Sequence, residues 1–255
     1  MSQRRTRSIV VSLGAIALAI AAPAASLSAQ VAGGNGFLLG TPDGSLTLRT
    51  GWALASAGSD IFSFTTDNLT IDRRDFSSPL FGADLAFRVL SRTDLVFSAS
   101  YEAANKRSEF RKFEDNNHQP IGQTTEFVRV PMSVGVREYL TDRGRSIGRL
   151  AWIPSRFSAY VGAGVGSVWY RFRQNGDWID FTDMSVFPAE LRTEGWSVSA
   201  NAFVGGEWAM NARLSLVTEA RYERAHGSID SNDFQGFGPI DLSGLSTTAG
   251  LAIRF

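Results

Sequence analysis

The chain has 255 residues, no cysteine, and 25 basic against 25 acidic residues, so its formal net charge is zero. Disulfides, thiolate metal sites, a cysteine nucleophile and a lipid-modified cysteine are therefore excluded, and the balanced charge gives no sign of nucleic-acid binding. A mean hydropathy near zero, with 25 glycines and 11% aromatic residues, suits short alternating strands better than apolar helices.

The first 29 residues have the three parts of a secretory signal peptide. Arginines precede residue 8, an apolar run follows from 9 to 22, and the small-residue exit Leu-Ser-Ala ends at Ala29. An uncleaved inner-membrane anchor is the alternative, but it needs a longer apolar run, of roughly 18 residues or more. We therefore expect export and cleavage near Ala29, then a periplasmic lead-in over 30–44 and one domain over 45–255.

After the lead-in, apolar and polar residues alternate in eight runs, each close to the roughly 9–11 residues of a tilted membrane-spanning strand. One anomaly is Pro131 in the fourth run, because proline cannot donate to a sheet ladder. The runs cover 45–56, 80–90, 94–104, 125–139, 157–172, 195–210, 213–225 and 245–255.

The connections between the runs alternate in length. Those after the second and sixth runs are tight, and those after the first, third, fifth and seventh are long, as in a barrel with one rim in the periplasm and the other outside. The connection over 140–156 is long for the periplasmic rim, and the pattern does not account for it. We predict an all-β fold, an eight-stranded antiparallel up-and-down transmembrane β-barrel.

A soluble lipocalin-like barrel is the structural rival, since it also has eight alternating strands but turns its apolar face inward. Aromatic spacing favours the membrane barrel. Trp196 and Trp208 share a face 12 residues apart, as do Phe157 and Trp169, which corresponds to about 30 Å at ~3.3 Å per residue and ~40° tilt. We expect aromatic girdles that include Trp169, Trp196, Trp208 and Phe255.

The polar faces carry ionisable side chains of both signs together with glycine and serine. Gly162, Gly164 and Gly166 share one such face, where they would make room for arginine and tyrosine from neighbouring strands. We expect the charges to fill a narrow lumen as a paired network rather than to line a pore. They are Arg49, Asp84, Arg88, Glu102, Arg129, Arg137, Glu207, Glu219, Arg221, Glu223 and Arg254.

Two segments resemble the outer-membrane β-barrel domain family, the broad OmpA/OmpW-like group. One is the last strand, with Ala249, Leu251, Ile253 and Phe255 in alternation, and the other is the proline-containing stretch FVRVPMSVGVREY over 127–139. The resemblance implies a Gram-negative-type outer membrane, contact with its lipid and lipopolysaccharide, and recognition of the last strand by the barrel-assembly machinery. OmpW-like proteins are associated with passage of small hydrophobic molecules, but no residue here matches that role.

Candidates for chemistry are few. His226 and Ser228 resemble the motif of the lipid A deacylase barrels, but the only carboxylate at hand is Asp241, so a polar surface loop is the better interpretation. Clustered aspartates in two loops suit Ca²⁺ or Mg²⁺, although ordinary solvation explains them better. We expect no catalytic residue, metal or cofactor. The aspartates are Asp177, Asp180, Asp183, Asp230 and Asp233.

A filled polar lumen favours a structural or surface-interaction role without enzymatic activity. A narrow channel or carrier for small hydrophobic or ionic solutes is the alternative, and an acyl hydrolase acting on lipid A is a remote one. The pattern leaves open what the external loops bind and whether the barrel oligomerises.

Overall fold

Eight long antiparallel strands dominate the computed structural model, which describes residues 37–114, 118–148, 151–179, 185–230 and 233–255. The predicted signal peptide and most of the predicted lead-in lie outside the described residues. The strands are β1 Gly44–Ala55, β2 Ser78–Arg88, β3 Thr93–Glu114, β4 Pro120–Tyr139, β5 Phe157–Ile179, β6 Val186–Ala209, β7 Leu214–Gly227 and β8 Gly244–Arg254.

The sheet closes into a ring, because each strand pairs with its neighbour in the chain and β8 pairs with β1. Following paired residues once around the ring from Gly44 leads back to Leu54, ten residues further along β1. A shear of ten in eight strands corresponds to a strand tilt of about 40° and a barrel radius of about 8 Å. The prediction of an eight-stranded up-and-down barrel is confirmed.

The apolar face of the barrel points outward. In β6, Trp196 and Val198 are 59% and 82% exposed, whereas Ser199 and Asn201, which follow them on the opposite face, are 2% and 6% exposed. The other strands repeat this alternation, with large apolar side chains outside and polar ones inside. A soluble barrel buries its apolar face, so the lipocalin-like alternative does not fit.

Four strands are longer than predicted: β3, β4, β5 and β6 have 22, 20, 23 and 24 residues. The prediction of long loops after the third and fifth runs is therefore wrong. Those residues continue the strands as paired hairpins above the apolar band. The apolar alternation stops at 104, 172 and 195 because the outward residues become charged, although the backbone pairing continues.

The rim with the long connections, here the loop end, carries a helix. Helix α1, Asp60–Asn68, begins after Ser59 and buries Ile61, Phe62 and Thr65. A 3₁₀ turn, Arg73–Phe76, follows it before β2. No helix among the described residues is long and apolar enough to cross a membrane.

The opposite rim, here the turn end, has tight turns after β2 and β6. Its third connection, over 140–156, forms strands Gly144–Ile147 and Ala151–Pro154, which pair with each other, and the second of them pairs with Leu38–Leu39. This small three-stranded sheet gives the long connection a structural role that the sequence pattern does not reveal.

Pro131 lies inside β4, where its ring interrupts one ladder only. Pairing with β3 is broken between Ala99–Met132 and Glu102–Arg129, whereas Pro131 pairs with Val168 of β5. The absent N–H of proline therefore faces β3, and the strand continues because its other edge is intact.

Candidate functional site

Ion pairs fill the middle of the barrel. Arg49 Nε lies 3.0 Å from Asp84 Oδ2, and Arg129 Nη2 lies 2.6 Å from Glu102 Oε2. The guanidinium of Arg129 also donates to the carbonyl of Leu242, at 2.7 Å, which ties the wall to the last loop. Charges taken out of water need such partners, because an unpaired buried charge costs several kcal/mol.

Glu207 is the most fully bonded carboxylate of this network. It accepts hydrogen bonds from Arg254 Nη2 at 2.6 Å, Ser215 Oγ at 2.6 Å and the Tyr139 hydroxyl at 3.0 Å. These three donors come from β8, β7 and β4, so one side chain of β6 crosslinks the interior across the barrel.

A second carboxylate, Glu219, does the same from β7. It accepts from Arg221 Nε at 3.0 Å and from the Tyr160 hydroxyl at 3.1 Å, and Arg137 Nη2 lies 3.9 Å away. Both glutamates are about 5% exposed, so water cannot screen these pairs as it does at a surface.

Small residues leave space for rings in the same layer. A Cβ added to Gly162 would lie 2.3 Å from the Phe203 ring, and one added to Gly205 would lie 2.4 Å from the Tyr160 ring. Arg221 stacks over Phe203, with Cζ 4.6 Å from the ring centroid. The space that Gly162 and Gly205 leave is therefore occupied by the rings of Phe203 and Tyr160. The arginine guanidinium groups pack against those rings and do not enter the space above the two glycines.

The predicted lumen charges occupy two environments. Nine of them are buried in the interior, and Glu223 is half-buried there beside Glu102. Arg88 instead lies at the turn end, where Nη2 is 3.2 Å from Asp43 Oδ1 and its side chain is 23% exposed. The nine are Arg49, Asp84, Glu102, Arg129, Arg137, Glu207, Glu219, Arg221 and Arg254.

One ion pair of the interior was missed from the sequence. Asp94, buried at the start of β3, lies 2.8 Å from Arg143 Nη1. The period-two pattern places Asp94 on the inner face and could have found it. Arg143 belongs to the 140–156 connection, where no period-two pattern indicates which side chains point into the barrel.

An apolar plug closes the loop end. Phe62 of α1 packs edge-on against Phe76, Phe127 and Phe172, with ring centroids 4.7, 5.3 and 5.6 Å away. Residues of the last loop, such as Phe234, join the same buried cluster. The polar character of the inner face stops below this level, so the interior has an apolar layer above the ion pairs.

The 3₁₀ turn holds the plug to the wall through Asp75. Its carboxylate accepts from the N–H of Asp72 at 2.9 Å and from Lys106 Nζ of β3 at 3.0 Å. The backbone N–H, followed by the ammonium, holds the pKa of the Asp75 carboxyl below its usual value, against the opposing effect of burial.

Trp152 closes the turn end. This residue of the small sheet is 5% exposed, and Arg254 Cζ lies 5.7 Å from its ring centroid. The same guanidinium donates to Glu207, so the ring lies next to the Glu207 cluster. A cavity of about 230 Å³ lies beside it at the rim. Two smaller cavities that border Glu102 and Glu223, each of about 10 Å³, have room for about one water each.

The predicted girdle residues lie at the two edges of the outward apolar band. Phe157 and Trp208 pair at the turn end with ring centroids 4.7 Å apart, and the exposed Phe255 lies at the same end. At the other edge of the band, Trp169 and Trp196 are direct cross-strand partners, 12 residues after Phe157 in β5 and 12 residues before Trp208 in β6.

The residues considered for acyl hydrolysis do not form a relay. The side chain of His226 is exposed, and its carbonyl accepts from Ser197 Oγ at 2.5 Å. The Ser228 carbonyl accepts from the Tyr170 hydroxyl. The carboxylate of Asp241 accepts from the backbone N–H groups of Gly58 and Ser243, at 3.0 and 2.9 Å, and so holds the plug rather than an imidazole.

Within the described part of the chain, no group of three or more histidine, aspartate or glutamate side chains is placed to hold a metal ion. Asp180 and Asp183 lie outside that part. Asp233 accepts a hydrogen bond from the N–H of Arg192 at 2.9 Å, so its carboxylate fastens the last loop to β6.

Neither a family model nor a curated protein matches the sequence. The chain is similar to solved outer-membrane structures, among them OprG from Pseudomonas aeruginosa, with 11% identity and a TM-score of 0.47 over 86% of this chain and 99% of that one. Neisserial surface protein A has 14% identity and a TM-score of 0.42, over 88% and 100%. E. coli outer membrane protein W has 13% identity and a TM-score of 0.38, over 85% and 100%.

Proposed function

We propose that the protein is an integral outer-membrane protein whose closed barrel anchors an external β-sheet for structural or surface-interaction roles, without enzymatic activity. The observation that carries this proposal is that side chains occupy the barrel interior at every level, while the outer face of the barrel is apolar. Phe62 and its cluster, the Glu207 and Glu219 pairs, and Trp152 occupy successive levels.

The orientation follows from the two rims. Outer-membrane barrels have short periplasmic turns and longer outer connections, so the turn end is periplasmic and the loop end faces outside. The extended hairpins of β3–β4 and β5–β6 then rise beyond the membrane as the part available to other molecules.

A labelling experiment tests this orientation. Because the chain has no cysteine, Asp177→Cys at the top of β5 and Ser91→Cys in the β2–β3 turn would each carry a single reactive thiol. On intact Gram-negative cells, we expect an impermeant maleimide to label D177C but not S91C, and to label both after the outer membrane is permeabilised. Labelling of S91C alone on intact cells would contradict the proposal.

The absence of enzymatic activity has its own test at His226 and Ser228, which resemble the motif of the lipid A deacylase barrels. We expect expression of the protein to leave the acyl chains of lipid A unchanged, and the variants His226→Ala and Ser228→Ala to give the same lipid A mass spectrum as the original chain. Loss of an acyl chain with the original protein, restored in both variants, would establish the hydrolase instead.

A further inference from the structure

The 140–156 connection gives the barrel an additional surface at the turn end. The periplasmic turns of outer-membrane barrels are short, whereas this connection and Leu38–Leu39 form the small three-stranded sheet, which is not part of the ring of strands. Trp152 and its two partners in that sheet share one face, and Trp152 contacts Arg254 in the barrel interior. Because successive side chains of a strand alternate, the other face points away from the barrel.

This outer face of the small sheet is apolar. Leu39, Ala151 and Ile147 form one cross-strand row, and Ile153 pairs with Arg145 in the next row. Leu39 is 80% exposed and Ile147 is 52% exposed. These side chains lie outside the apolar band of the barrel wall, so membrane lipid does not cover them. Adjacent aliphatic side chains left open to water are typical of an interaction surface.

The acidic groups at the turn end already have partners. Three aspartates form ion pairs with arginines, and the Glu138 carboxylate accepts from the Thr93 hydroxyl at 2.6 Å. The terminal oxygen of Phe255 accepts from two backbone N–H groups, at 2.8 and 3.1 Å. The three paired aspartates are Asp43, Asp94 and Asp142.

Three arginines at this end are left without a carboxylate. Arg145 lies on the outer face of the small sheet, Arg156 follows the strand Ala151–Pro154, and Arg213 lies in the turn between β6 and β7. All three are exposed, and none of them forms an ion pair with another residue that the structure describes. An apolar surface beside unpaired cations is complementary to a partner that is both apolar and acidic.

The cavity beside Trp152 adds donors to the same rim. It has a volume of about 230 Å³, and its lining includes the guanidinium groups of Arg88, Arg92 and Arg143 but only the carboxylate of Asp142. The hydrogen bonds of these arginines use one or two of the five N–H donors of each guanidinium. Donors therefore remain for a carboxylate that enters the cavity.

We infer that the turn end docks an acidic segment of a periplasmic protein, with apolar side chains of the partner on the outer face of the small sheet and its carboxylates on the unpaired arginines. This inference rests on the proposed outer-membrane function and orientation. A second copy does not fit, since it carries the same unpaired arginines, and two copies in one membrane both turn this face to the periplasm. A cell-wall glycan lacks the apolar groups that would cover Leu39 and Ile147.

Binding of a defined peptide to the refolded protein in phosphatidylcholine nanodiscs tests the inference, because both rims of the barrel are accessible there. The probe is a fluorescent peptide of alternating leucine and glutamate, and fluorescence anisotropy measures its affinity. We expect Arg145→Gln/Arg156→Gln/Arg213→Gln to weaken binding about tenfold through the loss of charge pairs. Leu39→Ser/Ile147→Ser should weaken it by a similar factor through the loss of apolar burial.

The matched control is Arg107→Gln/Lys112→Gln/Arg224→Gln. It removes three exposed cations at the loop end that form no ion pair within the described ranges, and it should leave the affinity unchanged. Two further peptides separate the contributions. Serine in place of leucine should weaken binding to the original chain, and lysine in place of glutamate should abolish it.

Unchanged binding by the Leu39→Ser/Ile147→Ser variant, or an equal loss in the control variant, would overturn the inference. Tighter binding of a cell-wall disaccharide tetrapeptide than of the leucine–glutamate peptide would also overturn it. Faster gel migration of unheated samples shows that each variant is folded, and Arg145→Gln or Leu39→Ser alone replaces a variant that is not. A chain that does not insert into lipid contradicts the proposed function, whereas an inserted barrel that does not bind the peptide contradicts this inference only.

Discussion

At the scale of single residues, the interior depends on a few side chains with several partners each. Glu207 joins three strands because it accepts from Arg254, Ser215 and Tyr139. Alternation in the sequence is enough to place Glu207 and Arg254 inside. It does not pair them, because pairing depends on the shear of the barrel and not on position within a strand.

The first residue-scale prediction concerns Glu207. Its replacement by alanine leaves the Arg254 guanidinium buried without its carboxylate, so Glu207→Ala should lower the free energy of unfolding by about 3–5 kcal/mol. Urea titration in lipid vesicles, followed by gel mobility, measures this. Asp142→Ala removes the partner of Arg92 in an exposed pair and should change stability by less than about 1 kcal/mol. Equal effects of the two variants would contradict the network.

A second prediction concerns the glycine beneath Phe203. The Cβ of Gly162→Ala would lie 2.3 Å from that ring, so the variant should lose about 1–3 kcal/mol of stability in the same titration. Gly122→Ala is the control, because a Cβ there meets nothing within 4 Å. Adding Phe203→Leu to Gly162→Ala should recover part of the loss, and no recovery would show that the ring is not the obstacle.

At the scale of elements, the sequence predicts the strands well and the connections poorly. All eight runs are strands, because each has an apolar outer face that alternates with polar residues. The upper parts of β3 to β6 were missed because their outer faces carry Arg171, Glu194 and their neighbours, which read as loop. Helix α1 was missed because its nine residues bury only Ile61, Phe62 and Thr65, too few for a helical period to stand out.

The connection over 140–156 illustrates a different limit. Its two short strands are recognisable only through their pairing with each other and with Leu38–Leu39, more than a hundred residues earlier. Local propensity carries no information about such a partner. The closure of the barrel by Trp152 therefore could not be predicted from the sequence pattern.

At the scale of the whole molecule, the fold has three regions in different surroundings: an apolar outer band, a packed interior and extended hairpins. In the proposed membrane placement, the apolar band faces lipid and the hairpins of β3 to β6 stand above the membrane, while the ion pairs and the apolar plug occupy the interior. An eight-stranded barrel has an interior just wide enough for side chains, and here the side chains occupy it. An interior occupied by side chains favours an anchor for an external sheet over a route for solutes.

Single-channel recording in a planar bilayer tests the closed barrel most directly. The sample is refolded protein that migrates faster on a gel before heating than after it, which establishes that the barrel is formed. We predict that it inserts without discrete conductance steps, because Phe62, the Glu207 and Glu219 pairs and Trp152 block successive levels. Reproducible conductance steps from the folded protein would contradict the account and establish the channel.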